Sequence, residues 1–166
     1  MARQDVIDCL KPLDKAAVQP YFSKRIQLAD LIEWVLDQFV QADICISTFS
    51  TSEEFLRRLY RLKRSGRIGK CRLFCDLRAA RKTVALKSLM QQTFDHVSLC
   101  ENHSKVVILS SDRHQAAIVT SQNQTRGDRY ESGIITTDGP TIAGLLTTFE
   151  KMSNESIPID ALSDNS

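Results

Sequence analysis

The chain has 166 residues, 42% hydrophobic and 25% charged, with a formal net charge of +2. That length suffices for one domain with its own core and is short for two. The composition is not that of a disordered or fibrous chain, and no apolar run approaches the roughly 20 residues a bilayer-spanning helix needs, so no membrane partner is expected.

The opening MARQDVIDCLKPLDK carries Asp5 and Asp8 where a secretory leader would be apolar, which predicts a cytoplasmic protein. Residues 1–25, punctuated by Pro12 and Pro20, read as a short helix and a connector, and residues 26–152 as the folded domain. From Ile26, the positions Leu28, Leu31, Ile32, Val35 and Phe39 follow the spacing of one buried helix face. DICISTFS at 43–50 reads as a strand. TSEE at 51–54 then predicts a helix start, with Thr51 as the cap and Glu54 reaching back, and the helix stops near Ser65-Gly66. Cys71 to Leu77 is a second apolar strand, and Ala79 to Phe94 a helix with Val84, Leu86, Leu89 and Met90 apolar.

Strands are then expected in close succession at 96–101, 105–110, 115–120 and 133–136, the middle two joined by a hairpin at SSDRH. Asp138-Gly139-Pro140 reads as the cap of a last amphipathic helix carrying Ile142, Leu145, Leu146 and Phe149. Residues 153–166 read as a polar, frayed tail. Helices and strands alternate early and strands cluster late, which predicts an α/β fold with a mixed β-sheet flanked by α-helices.

The five cysteines include no CxxC pair and three lie in apolar runs, so they are expected to be reduced and buried. Cys71 and Cys75 can share a strand face, but no histidine or second cysteine pair has ligand-like spacing, and no metal or cofactor is expected. Between Thr51 and Lys87 there are 12 basic residues against 3 acidic ones, a net +9 on a nearly neutral chain. Arg57, Arg61, Arg64, Arg67 and Lys70 in this stretch are candidates to hold a phosphate-rich partner such as nucleic acid.

The chemistry concentrates in ENHSKVVILSS at 101–111 and TSQN at 120–123. His103 and Lys105, two apart at a strand mouth, project to one face while Ser104 points away. Ser121 and Asn123 repeat that spacing at the end of the next strand. Imidazole, ammonium, hydroxyl and amide each offer a hydrogen to a phosphate oxygen, and only the histidine is both nucleophile and proton carrier near neutral pH. Glu131, opening the last strand, is a carboxylate that can orient and stabilise an imidazole.

HSK at 103–105, an apolar strand, a turn, a second apolar strand ending TSQN, and then Glu131 together resemble the HxK, GSxN and following Glu of the phospholipase D superfamily. The upstream ICISTFS strand, basic helix and CRLFCDL strand resemble its small bacterial nuclease-like members, so the likeness extends over roughly residues 26–150. The resemblance implies a metal-independent phosphodiesterase, a nuclease, working through a phosphohistidine. His103 would be nucleophile or general acid, Lys105 and Asn123 would neutralise phosphate oxygens, Ser121 would assist and Glu131 would orient His103.

A chain with one such motif implies a homodimer with two facing copies of His103. Thr120 replaces the family's glycine and Ser110 stands at the family's aspartate position, five residues after Lys105. The alternative from a different class is an inactive phosphate- or nucleic-acid-binding module with the same fold; a lipid substrate is less supported, because no amphipathic membrane-facing stretch is evident.

Overall fold

The computed structural model describes residues 2–82, 86–124 and 127–161, with the backbone alone for residues 2 and 80–82. The order is α1 (Ala2–Cys9), β1 (Val18–Ser23), α2 (Leu28–Phe39), β2 (Ala42–Thr48), α3 (Glu53–Arg64), β3 (Ile68–Asp76), α4 (Leu77–Lys82), α5 (Lys87–Thr93), β4 (His96–Cys100), β5 (Val106–Ser110), β6 (Gln115–Thr120), β7 (Glu131–Thr136), α6 (Gly139–Glu155) and β8 (Ile157–Pro158). Eight strands form one mixed sheet in the order β1-β7-β6-β5-β2-β3-β4-β8. β2, β3 and β4 are parallel, with helical crossovers between them, and β5, β6 and β7 form an antiparallel meander.

Helices cover both faces because both faces are apolar. Val6 of α1, Leu31, Ile32 and Val35 of α2 and Phe55, Leu59 and Leu62 of α3 pack on one side against Ile46, Leu73, Val107 and Ile118. Alternate residues of the same strands, Cys45, Phe74, Ile108 and Ala117, turn to the other side and meet Ile142 and Phe149 of α6. The Asp138 carboxylate accepts the Thr141 N–H at 3.0 Å, starting α6 at its expected cap. No described helix is long and apolar enough to cross a membrane.

Four expectations change. Residues 18–23, read as connector, form edge strand β1, paired antiparallel with β7; Pro20 disguises it, and proline is tolerated on an edge where its missing N–H breaks no ladder. The α3 cap is Ser52, whose hydroxyl accepts the Phe55 N–H at 3.2 Å, while Thr51 makes a β-bridge to Gln124. The helix expected over 79–94 appears as α4 and α5, and Val84 lies outside the described residues. The tail expected from Ser153 continues α6, adds β8 against β4 and buries Ile159 in a 3-10 turn, because Ile159 reaches the apolar core.

Candidate active site

Every residue of the motif comes to one end of the sheet. Parallel β2, β3 and β4 all end there, β5 and β7 begin there, and β6 arrives there. Asp76 closes β3, residues 102–105 link β4 to β5, Ser121 and Asn123 follow β6, and Glu131 opens β7. The carboxyl ends of parallel strands are where open α/β sheets bind ligands.

The floor is a polar knot under the His103 loop. Asp76 is fully buried; its carboxylate accepts the backbone N–H of Asn102 at 2.9 Å and of Arg78 at 2.8 Å, with the Arg78 guanidinium at 3.5 Å. Burial alone would raise its pKa, but these N–H groups and the arginine outweigh it and hold the carboxyl below the usual aspartate range. The Asn102 amide donates to Ser47 Oγ at 2.8 Å and to the Thr48 and Phe74 carbonyls, both at 3.3 Å. Its oxygen accepts the Ser104 N–H at 2.9 Å and hydroxyl at 2.6 Å. Ser104 thus turns down as expected, while His103 stands up into solvent.

His103 packs its ring against Phe49, centroids 4.8 Å apart, and its Nε2 lies 3.4 Å from Arg78 Nη2. Lys105 Nζ donates to the His103 carbonyl at 3.0 Å. Two cationic donors as close as Arg78 and a charged His103 repel unless the imidazole is neutral or an anion lies between them. Arg78 is the residue missing from the sequence-derived site; its signal was a basic residue two after a lone carboxylate in an apolar strand, CRLFCDLR.

The opposite wall hangs on β6 and β7. The Thr120 N–H donates to the Lys105 carbonyl at 3.1 Å, bringing Ser121 alongside the His103 loop. Ser121 donates its hydroxyl to Glu131 and accepts the Ser132 N–H at 3.0 Å, and Arg129 holds the other Glu131 oxygen at 2.8 Å. The implied Glu131–His103 pairing therefore does not form within the chain. β7 lies two strands from β5, about 10 Å, and among the described residues His103's side-chain neighbours are Phe49 and Arg78. The four candidate residues His103, Lys105, Ser121 and Asn123 also lie just beyond their strands, so placement follows loop anchoring and not the shared pleat expected from sequence. Asn123 lies two residues past Ser121, and its Oδ1 is buried without a partner among the described residues.

Thr120, at the family's glycine position, has its own use. Its hydroxyl bonds the Tyr21 hydroxyl, which also accepts from Gln122 at 2.8 Å. The Tyr21 ring crosses Gly133 so closely that a Cβ there would sit 2.6 Å from it. Burial raises the Tyr21 phenol above its ordinary value against these hydrogen bonds, so it serves as a neutral strut.

Ser110, at the family's aspartate position, ends β5 and pairs with Asp43 and Gln115. Five residues of strand put it about 17 Å from Lys105. The basic candidates are also spread out: Arg57, Arg61 and Arg64 form an exposed stripe on α3, which begins at the site end and runs away for about 18 Å, and Arg67 and Lys70 lie at the far end. Arg57 pairs with Glu53 and Arg67 with Asp37.

No protein-family model and no curated protein sequence matches the chain. Solved structures do. The phospholipase D family member Nuc from Salmonella typhimurium superposes with a TM-score of 0.66 over 85% of this chain and 96% of that one, at 18% identity. NucT from Helicobacter pylori gives 0.66 over 86% and 99%, at 15% identity. The archaeal chromatin protein TrmBL2, whose structure revealed a mode of DNA binding, gives 0.57 over 94% of this chain and 58% of that one, at 10% identity. The chain has the phospholipase D fold.

Proposed function

We propose that the protein is a metal-independent phosphodiesterase, a nuclease acting as a homodimer through a phosphohistidine. The observation that carries this reading is the cluster of His103 with the cations Arg78 and Lys105 at the sheet end, beside Ser121 and Asn123, with no carboxylate bonded to His103 among the described residues. Such a cluster attracts a phosphodiester and offers it a nucleophile. His103 Nε2 attacks phosphorus and the bond to the leaving oxygen breaks. That oxygen takes a proton from His103 of the second subunit. Water then attacks the phosphohistidine, passing a proton back to the second imidazole and freeing the first. Arg78, Lys105 and Asn123 balance the charge on the equatorial oxygens, while Ser121 fixes Glu131.

A second subunit has a surface to sit on. Phe22, Val119, Tyr130 and Ile134 are exposed beside Ser121 and Glu131, with Phe22 and Tyr130 rings 5.5 Å apart. Contiguous apolar exposure of this kind supports a subunit contact on this face. A second reading, a DNA-binding module without catalysis, is favoured by the exposed α3 stripe. Incubating single-stranded and duplex DNA with the protein in EDTA separates the two. Cleavage supports the enzyme; salt-sensitive binding without cleavage supports the module.

A further inference from the structure

We propose that Phe49 is a positioning residue for the nucleophile: its ring sets the side-chain rotamer of His103, so that the imidazole meets phosphorus in the attacking orientation. The inference deepens the phosphodiesterase reading and rests on it. Phenylalanine is ordinarily a core residue. Phe49, half-buried just past the end of β2, belongs to neither of the two apolar clusters that line the sheet. Its ring packs instead on the exposed His103, with 4.8 Å between centroids and 62° between planes. The rings meet edge to face, an arrangement in which aromatic quadrupoles attract beyond what buried area alone provides.

The backbone that carries Phe49 is fixed by the same groups that fix the His103 loop. The Phe49 carbonyl accepts the Asp76 N–H at 3.4 Å, and the Asp76 carboxylate accepts the Asn102 N–H at 2.9 Å. Before Phe49, the Thr48 carbonyl accepts the Asn102 amide at 3.3 Å. After it, the Ser50 carbonyl accepts the Gln124 N–H at 3.3 Å and the Thr48 hydroxyl at 2.9 Å. Asp76 and Asn102 therefore tie the two ring-bearing loops to each other. A ring held on both sides in this way can serve as a fixed wall for its neighbour.

His103 needs such a wall. The bonds beneath its loop hold Asn102 and Ser104, and Lys105 holds the His103 carbonyl, so these bonds fix the backbone and leave the imidazole free to turn. The carboxylate of Glu131 is engaged by Ser121 and Arg129. Among the described residues, the side chain at the imidazole nitrogens is Arg78, 3.4 Å from Nε2. A phosphate bound by Arg78 and attacked by Nε2 enters between these two groups and removes that contact. The Phe49 contact is made with the ring and does not occupy the attacking nitrogen. An exposed histidine turns about two side-chain bonds, and an imidazole shared among several rotamers spends only part of its time aligned for attack.

The test compares the wild-type protein with Phe49→Leu and Phe49→Tyr in hydrolysis of bis(p-nitrophenyl) phosphate in EDTA. Leucine keeps apolar cover at the position and removes the ring; tyrosine keeps the ring. In Phe49→Leu, kcat is expected to fall about tenfold, with KM within about twofold of the wild type. In Phe49→Tyr most of the rate is expected to return. An undiminished kcat in Phe49→Leu, a change confined to KM, or an equal loss in both variants overturns the proposal. Proton NMR reads the ring contact without turnover. The chain has three histidines, and His103→Ala identifies which ring resonances belong to His103. These are expected to move in Phe49→Leu far more than those of His96 and His114, and to move little in Phe49→Tyr. If the wild type does not hydrolyse the ester, the phosphodiesterase reading fails and the resonances alone decide whether Phe49 orients His103. Displaced His103 resonances in Phe49→Leu support it, and unmoved ones overturn it.

Discussion

Asp76, at the end of β3, accepts the backbone N–H of Asn102, the residue before His103, at 2.9 Å. The loop that carries the proposed nucleophile is thereby tied to a buried carboxylate whose pKa is held below the ordinary range by N–H donors and Arg78, against the pull of burial. A carboxyl with a depressed folded-state value stabilises the fold fully above its unfolded value, about 3.9, and loses that contribution as pH falls through the lower folded value. Asp76→Asn is expected to destabilise the protein at neutral pH by about 2 kcal/mol, and to flatten the stability loss below about pH 4. Denaturant unfolding of both proteins across acidic and neutral pH measures this; equal slopes would contradict it.

Asn102 anchors the same loop through its side chain. Replacing it with alanine leaves Ser47, Ser104 and two strand-end carbonyls short of partners, at an expected cost of about 2–3 kcal/mol. Asn102→Asp is expected to be worse, because a carboxylate would face the Thr48 and Phe74 carbonyls. Thermal unfolding ranks the variants, and the rate on an aryl phosphodiester should fall in the same order as the His103 loop loosens.

Ser110 occupies the position of the family's aspartate but lies at the far end of β5 from Lys105. Ser110→Asp is therefore expected to change the hydrolysis rate by less than about twofold, as read from steady-state kinetics. A large gain on restoring the aspartate would contradict this placement.

The exposed Phe22 and Ile134 lie on the proposed subunit contact. Phe22→Asp combined with Ile134→Asp is expected to convert a dimer at micromolar concentration to a monomer in sedimentation, since a charge buried in an apolar contact without a partner is heavily penalised. Activity should fall at least about tenfold with the loss of the second histidine. An active monomer would contradict the two-histidine mechanism.

Much of this was legible in the sequence where local chemistry and tertiary structure agree. The spacing of Leu28, Leu31, Ile32 and Val35, the cap at Asp138, and the apolar runs of β2, β3, β5 and β6 all report burial that the fold realises. β1 was hidden by Pro20 and by its position at the edge, and β8 by its length of two residues. HSK and SQN pointed to the candidate site because residues two apart in sequence are brought to one sheet end. The knot of Asp76, Asn102, Ser47 and Arg78 was invisible because it joins three strand ends far apart in the chain. Charge counting misled in a particular way: Arg58 binds Asp30 and Glu33, Lys63 binds Asp95 and Arg67 binds Asp37, so part of the +9 is internal.

The central claim is that His103 is the nucleophile of a metal-independent phosphodiesterase. The most direct measurement is the hydrolysis of bis(p-nitrophenyl) phosphate in EDTA by the wild-type protein and by His103→Ala, after circular dichroism has established that both fold alike. The account predicts turnover by the wild type and a loss of at least about a thousandfold in the variant. Activity that requires a divalent metal, or that survives in His103→Ala, would contradict it.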